Sequence, residues 1–353
     1  MDTEVNRFIF RHEDKLFRTW YPNTLKSIFG KKTMRDVESI HKYVRSIGGP
    51  VFAPKNLKEA FIFEMEKTIT ESLRRWATNP SIEVKQSLRN MMFDLIIKKL
   101  VGFEPNSTGS KELRKNIELF FKGVISFPLL VPGTNFYQAM QSGRALLDEN
   151  FLVDTVAGFI FAGVALTPTT LTAGMKFLTD SPNVVEALSE EHDTILKNRD
   201  ETQPTITWEE FKTMKFTDQV INEILRLSSN GPGITRQALK DVQYNGYTIP
   251  AGWVVMISPM SVHLNPDIFE DPLTFNPWRW QEENANSLMK HFMPFGDGKR
   301  HCMGANFTKF QIAMFLHTLV TKYRWKEIKR GETFRIADLA FPQDYHIKLL
   351  PRS

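Results

Sequence analysis

The sequence predicts a mainly α-helical fold with a small β portion, and three observations lead to this prediction. Apolar residues recur at helical spacing through the first two thirds of the 353-residue chain, and from Lys240 onward short alternating segments and prolines replace them. The hydrophobic content of 42%, with 28 phenylalanines, is enough for a sizeable core. No internal repeat or low-complexity linker divides the chain, so we expect a single domain over residues 1–353.

Helices are predicted through most of the first two thirds of the chain. The segment TMRDVESIHKYVRSIGGP has a candidate N-terminal cap at Thr33 and is predicted to stop at Gly48-Gly49-Pro50. Between these points, apolar residues at helical spacing are Val37, Ile40, Val44 and Ile47. Further helices are predicted, in chain order, in LKEAFIFEMEKTITESLRRWA, VKQSLRNMMFDLIIKKLVG, NIELFFKGVI, FLVDTVAGFIFAGVAL, NVVEALSEEHDTILKN and TDQVINEILRLS.

The β portion is predicted in the last third of the chain. The dipeptide Asn245-Gly246 lies inside an alternating segment and predicts a tight hairpin. A proline-punctuated stretch from Pro259 to Pro294 follows, and then a last helix from about Gly304 to Lys322. The final segment, DYHIKLLP, is predicted to be a strand.

Charge and motif content exclude several classes of protein. The net charge of +5 is spread along the chain without a basic run, so nucleic-acid binding is not predicted. One cysteine cannot form an internal disulfide, and phosphate-loop, dinucleotide, zinc and serine-hydrolase motifs are absent from the sequence. The segment SEEHD around His192 predicts a solvated helix face.

The charged N-terminus resembles neither a signal peptide nor an anchor, and the apolar stretch VAGFIFAGVAL follows Asp154 and is too short to span a bilayer. We therefore expect a soluble or peripheral chain.

The single cysteine, Cys302, lies in the segment MPFGDGKRHCMG at residues 293–304. A free cysteine is commonly a small buried hydrophobe, and that interpretation stands beside the following one. The residues Lys299-Arg300-His301 and the start of the last helix favour a thiolate, which suits a nucleophile or a metal ligand. Bulky apolar residues around it indicate a large apolar partner, which a haem satisfies; they are Phe292, Met293, Phe295, Met303 and Phe307.

The same segment resembles the haem-thiolate loop of the cytochrome P450 family. The family pattern Phe-x-x-Gly-x-Arg-x-Cys-x-Gly matches at Phe295, Gly298, Arg300, Cys302 and Gly304. The resemblance implies that Cys302 is the protein ligand of a haem iron and that Phe295 and Arg300 contact the haem. It also implies a cytochrome P450 fold, with the haem-thiolate loop at residues 293–304.

Two further motifs resemble those of the same family. Glu223 and Arg226 match the Glu-x-x-Arg of the family's helix K, and Arg279 in FNPWRW resembles the arginine that joins that pair. The resemblance implies a structural role for these three residues. An ordinary surface ion pair would also have this spacing, but the apolar neighbours of Glu223 predict burial.

The haem carboxylates have candidate partners elsewhere in the chain. Arg45 in HKYVRS resembles a propionate-binding arginine, and His41 lies one turn earlier on the same helical face. Arg236 in GITRQALKDV resembles a second propionate partner. Two exposed cations on an amphipathic helix remain an alternative for His41 and Arg45.

The chain as a whole resembles plant P450 enzymes that oxidise brassinosteroids, other sterols and triterpenoids. The resemblance implies a haem-thiolate monooxygenase with a small apolar substrate. Its electrons would come from NADPH through cytochrome P450 reductase, at the cytosolic face of the endoplasmic reticulum membrane. The membrane anchor and early β-strands of relatives precede the matching region, so a peripheral or cytosolic location is expected for this chain, and the fold is expected to be incomplete.

The oxygen-binding helix departs from the family pattern. In AGVALT, Ala165 stands at the usual acid position and Leu166 at the first threonine position, while Thr167 remains as a proton relay and Pro168 is expected to kink the helix. The helix also follows Asn150 almost directly, where relatives have further helical sequence. These departures leave two alternatives: a haem-thiolate isomerase or dehydratase, and a non-catalytic truncated remnant.

Overall fold

The computed structural model describes residues 3–23, 37–53, 61–124, 131–134, 137–138, 151–200, 205–228, 233–336 and 339–352. These residues form the mainly helical fold that the sequence predicts. The helices are α1 (Thr3–Arg11), α2 (Val37–Val51), α3 (Ile62–Ala77), α4 (Val84–Leu100), α5 (Thr108–Val124), α6 (Phe151–Thr179), α7 (Pro182–Asn198), α8 (Trp208–Thr213), α9 (Lys215–Ser228), α10 (Pro259–His263), α11 (Glu282–Met289) and α12 (Ala305–Lys322).

Helix α12 lies at the centre of the main core. Its side chains from Phe310 to Val320 are buried continuously, because α3, α7 and α9 pack around it. Helix α6 completes this core by packing on α4 and α9. A helix that is apolar on all sides is typical of a buried position, and α12 begins only three residues after Cys302.

The strands form small antiparallel sheets at the edges of this core. One sheet has the order β1 (Phe17–Thr19), β3 (Ile234–Ala238), β6 (Val254–Ile257), and a second has the order β2 (Ile82–Glu83), β10 (His346–Pro351), β7 (Tyr323–Lys329). Two hairpins are formed by β4 (Val242–Tyr244) with β5 (Tyr247–Ile249) and by β8 (Glu332–Ile336) with β9 (Leu339–Gln343). The predicted Asn245-Gly246 hairpin is confirmed, with positive φ angles of 47° and 81°.

The predicted stop at Gly48-Gly49-Pro50 is wrong, because α2 continues to Val51. A Cβ atom at Gly48 would lie 2.5 Å from the ring of Phe159 on α6. Gly48 thus permits close helix packing and does not end the helix. The candidate cap Thr33 lies outside the described residues. Helix α6 likewise continues through Pro168 to Thr179.

The apolar part of α6 is longer than the sequence stretch suggested. Gly158–Thr179 is long and apolar enough to cross a membrane by length and composition, which corrects the expectation that this stretch is too short. However, 61% of the tested window is buried inside the protein, as in the core helix of a soluble protein. The burial of α6 is therefore accounted for by its packing on α4 and α9.

The predicted solvated face around His192 is also wrong. His192 is fully buried on α7, where its Nδ1 lies 3.0 Å from Nδ1 of His317 and its Nε2 lies 3.1 Å from the hydroxyl of Thr217. Val184, Leu188 and His192 lie at successive spacings of four residues on the buried stripe of α7. This spacing predicts that His192 is buried, even though its sequence neighbours are acidic.

Candidate functional site

Cys302 lies in a glycine-shaped loop that leads directly into α12. Its backbone N–H donates to the carbonyl of Phe295 at 3.0 Å, and Gly296 and Gly298 have positive φ angles of 72° and 70°. These backbone conformations are strained for residues with a Cβ atom, so the two glycines permit the loop to fold back on itself. The result is a sulfur held beside the first turn of α12.

The loop also packs tightly against the end of α1. A Cβ atom at Gly298 would lie 3.0 Å from the carbonyl oxygen of Phe10. The side chain of Lys299 pairs with Asp14 at 3.0 Å. Contacts with α1 therefore help to set the backbone of the cysteine loop.

The thiol of Cys302 is solvent-accessible, yet surrounding protein desolvates it and raises its pKa. The backbone amide of Gly304 and the charge of Arg45 oppose this rise. The prediction that Lys299 and Arg300 lower the pKa of the Cys302 thiol is wrong. Lys299 pairs with Asp14 and Arg300 pairs with Glu13, which are two acids that follow α1. An accessible but desolvated sulfur is typical of a concave site, where a bound metal ion would itself favour the thiolate.

Helix α2 contributes a guanidinium group and an imidazole to the same site. Arg45 donates from Nη1 to the carbonyl of His301 at 2.8 Å, so it contacts the cysteine loop directly. His41 is partly buried, and desolvation and then the nearby charges of Arg300 and Arg45 lower its pKa. The structure therefore brings together the residues predicted as haem-carboxylate partners, including His41.

A buried carboxylate that sequence reasoning missed lies among these cations. Glu13 Oε1 is 2.5 Å from Nε of Arg236 and 3.4 Å from Nε of Arg300. Its pKa is raised, because desolvation outweighs the opposing effect of the two arginines. Asn6, Phe10 and Glu13 are buried at helical spacing, which is the signal that could have identified it.

The chemistry of these groups fits a haem. The accessible thiol of Cys302 supplies a soft ligand for iron, and Arg45, Arg236 and Arg300 supply guanidinium groups suited to carboxylates. Phe295 is partly buried against the main core and lies on the cysteine loop. An apolar cofactor that carries two carboxylates and a metal ion able to bind the thiolate would match this arrangement.

The predicted Glu-x-x-Arg network is present on α9. Glu223 and Arg226 are fully buried, and Arg226 donates from Nε and Nη2 to the two carboxylate oxygens at 2.9 and 2.8 Å. Arg279 donates to the same carboxylate at 3.1 Å, as do the indole of Trp280 at 2.9 Å and the backbone of Asn276 at 3.0 Å. Each charged group in this network thus has hydrogen-bond partners, and these bonds offset the free-energy cost of burying the charge.

A second missed residue, His263, joins this network to the cysteine loop. Its carbonyl accepts Nη1 of Arg226 at 2.7 Å, and its Nε2 accepts the backbone N–H of Met293 at 3.0 Å. Because Nε2 accepts, the proton of the neutral ring lies on Nδ1. Burial and the charge of Arg226 lower the pKa of His263 to about 3, which keeps the ring neutral.

Comparison with known proteins shows the family of the chain. The family model described as Cytochrome P450 matches residues 132–343, more than half of the chain. Cytochrome P450 87A3 from Oryza sativa subsp. japonica is 40% identical over 100% of this chain and 76% of the relative. The chain belongs to the cytochrome P450 family. Members of this family are haem-thiolate monooxygenases, so the predicted enzyme class and the haem-thiolate type of cofactor are confirmed.

Other relatives of this cytochrome P450 support the same assignment. Cucurbitadienol 11-hydroxylase from Siraitia grosvenorii is 36% identical over 99% of this chain and 82% of the relative. The solved structure of retinoic acid bound cyanobacterial CYP120A1 superposes with a TM-score of 0.87, at 23% identity, over 99% of this chain and 88% of that one. The predicted fold class is therefore confirmed.

The helix that is expected to bind oxygen in this cytochrome P450 is α6, which carries Ala165, Leu166 and Thr167. Thr167 is 3% exposed, whereas Leu166 is 43% exposed and Ala165 is partly buried. The Thr167 hydroxyl makes no hydrogen bond with the described residues, while Thr169 and Thr170 donate back to the carbonyls four residues earlier. The accessible side chains on this turn thus carry no group that can pass a proton.

Proposed function

We propose that Cys302 is the thiolate ligand of a haem iron and that residues 1–353 form one P450 domain built around it. The observation that carries this proposal is the accessible Cys302 sulfur at the start of α12, in a loop that Arg45 and Arg300 flank. Arg45, Arg236 and Arg300 would hold the haem carboxylates, with His41 beside them. Phe295 would pack against the porphyrin.

The substrate that we propose is a sterol, brassinosteroid or triterpenoid, which is hydroxylated or oxidised. The name of the Siraitia relative supports this class, because cucurbitadienol is a triterpenoid. A thiolate-ligated haem, when bound, supplies the activation of oxygen. In the net reaction one oxygen atom enters a C–H bond and the other leaves as water, with electrons from NADPH through cytochrome P450 reductase.

Proton supply is the part of this chemistry that the chain itself must provide. Position 165 lacks a carboxylate and position 166 lacks a hydroxyl, so protons would reach the distal side through water and Thr167. Thr167 is buried, so its hydroxyl has little direct access to solvent. We therefore infer that electrons are poorly coupled to product.

The location that we propose is the cytosolic face of the endoplasmic reticulum membrane, where the reductase partner of this family is found. The apolar helix Gly158–Thr179 does not supply the attachment in this proposal, because most of it is buried in the core. Attachment resistant to carbonate extraction of the expressed chain would contradict a peripheral association.

The test of the haem ligand is the absorption of the reduced, CO-bound protein. We expect the red-shifted Soret band of thiolate ligation in the unaltered chain and its loss in Cys302→Ser. Lys299→Gln is the matched control, since Lys299 lies in the same loop but its side chain is 64% exposed. A folded chain that binds haem without this band, or a band that survives in Cys302→Ser, would refute the ligand assignment.

Ala165 and Leu166 also favour a second function, a haem-thiolate isomerase or dehydratase that needs no external oxygen. Turnover of a sterol and triterpenoid panel under ¹⁸O₂ separates the two reactions. Incorporation of label with consumption of NADPH supports the monooxygenase. Product formed without label or NADPH supports the isomerase or dehydratase, and failure to bind haem supports the non-catalytic remnant.

A further inference from the structure

Glu13 is a buried acid to which the family motifs assign no role. It follows α1, it is 2% exposed, and it lies among cations contributed by two distant segments, β3 and the cysteine loop. Neither carboxylate oxygen forms an aligned hydrogen bond within the described part of the chain, although Nε of Arg236 approaches to 2.5 Å. The contact is therefore a close pairing of two buried charges.

The contact of Glu13 with each guanidinium group leaves the terminal nitrogen atoms on the other side. Glu13 Oε1 faces Nε of Arg236 and Nε of Arg300, which is the edge of the guanidinium nearest the chain. The terminal nitrogen atoms of Arg300 make no hydrogen bond with any described residue. They thus keep their capacity to bind another carboxylate.

The charges of the cluster lead to the same inference. Arg45, Arg236 and Arg300 contribute three positive charges and Glu13 one negative charge, which leaves a net charge of +2. The two propionates of a haem would neutralise it. Without Glu13, the buried Arg236 and the partly buried Arg300 would have no internal counter-ion, because the neighbouring Asp14 pairs with Lys299.

We propose that Glu13 is a positioning residue for the haem carboxylates and holds Arg236 and Arg300 in place as their internal counter-ion. This inference rests on the proposed haem site. Glu13 and the propionates share the same two cations, so each can partly replace the other. Loss of either carboxylate is tolerated, and loss of both leaves Arg236 and Arg300 unpaired.

The test pairs a substitution with a change in the cofactor. The full chain is loaded with haem or with haem dimethyl ester, whose carboxylates are blocked, and the unfolding constant of each complex is measured in urea. For Glu13→Gln we expect an increase in that constant of about tenfold or less with haem and about a hundredfold or more with the ester. For the unaltered chain we expect the two complexes to differ by less than about tenfold.

Asp14→Asn is the matched control, because it removes one negative charge from the adjacent residue. Asp14 pairs with an exposed lysine, so we expect less than about a fivefold effect that is equal with both cofactors. Glu13→Asp retains the charge and should restore most of the stability of the ester complex.

The outcomes separate this inference from the proposed function. Absence of the thiolate Soret band in the unaltered chain refutes the haem site itself. With that band present, an equal loss for Glu13→Gln in both complexes makes Glu13 a structural ion pair only and overturns the inference. No loss in either complex also overturns it. If Glu13→Gln folds only with haem and not with the ester, the inference is supported. If it folds with neither, Glu13 is a structural ion pair only and the inference is overturned.

Discussion

Met293 donates its backbone N–H to Nε2 of His263 at 3.0 Å, and both residues are buried. His263 also accepts a hydrogen bond from Arg226 through its carbonyl, so one residue contacts both the α9 network and the first residue of the cysteine loop. The ring of Phe292 lies beside the histidine ring, with 5.4 Å between the two ring centroids. The Glu-x-x-Arg motif is thus connected to the loop by a short chain of hydrogen bonds.

Replacing His263 should loosen this connection. His263→Phe fills similar volume in an aromatic environment but leaves the Met293 N–H without an acceptor, so we expect a loss of about 1–3 kcal/mol in the free energy of unfolding. The measurement is urea unfolding of the haem-loaded protein, together with the fraction of the thiolate form. His263→Gln retains an acceptor and should lose less. Equal stability of His263→Phe and the unaltered chain would contradict this role.

Removing the shared carboxylate of the α9 network should be more damaging. Glu223→Gln leaves Arg226 and Arg279 without their buried counter-ion, so we expect a loss of about 3–5 kcal/mol and little folded protein. Asp218→Asn on the same helix is the control, because its ion pair with Lys309 is half-exposed and should contribute less than about 1 kcal/mol. If Glu223→Gln folds normally and loses only turnover, the structural role is wrong.

Restoring the proton-carrying groups on α6 should improve coupling. The double substitution Ala165→Glu and Leu166→Thr places a carboxylate and a hydroxyl at partly accessible positions of the helix. We expect more product and less hydrogen peroxide per NADPH, measured with a reductase partner and a panel of sterols and triterpenoids. The two single substitutions serve as controls for the change in side-chain volume. Tight coupling in the unaltered protein would refute the argument from proton supply.

The buried histidine pair predicts a loss of stability in acid. Burial lowers the pKa of both His192 and His317 from 6.5 to about 3. Between these pH values the unfolded chain binds protons that the folded protein does not, so stability is full above pH 6.5 and falls on acidification. The expected slope is about 1.4 kcal/mol per pH unit for each histidine.

Urea unfolding at several pH values checks this slope. His317→Phe should reduce the slope by about 1.4 kcal/mol per pH unit between pH 6 and 4. An unchanged slope in His317→Phe would show that the pair does not stay neutral in the folded protein.

The helices, the 245–246 hairpin and the cysteine loop could be predicted from the sequence because their determinants are local. Helical periodicity, a glycine at a positive φ angle and a ligand just before a helix are properties of neighbouring residues. Glycine was informative in the loop at Gly298 but misleading at Gly48. Local preference predicts a stop at Gly48, whereas close approach to Phe159 requires a small residue in a continuous helix.

The sequence by itself determined the enzyme family, the candidate iron ligand Cys302 and the pairing of Glu223 with Arg226, whose spacing of three residues brings them together on any helix. Only the tertiary structure decided the surroundings of Glu13, His192 and His263. Their partners are far along the chain, as in the contact between Glu13 and Arg300, and the burial of a polar side chain depends on which elements pack against it. Local sequence therefore specifies the groups that carry the chemistry, and packing decides which charges and rings surround them.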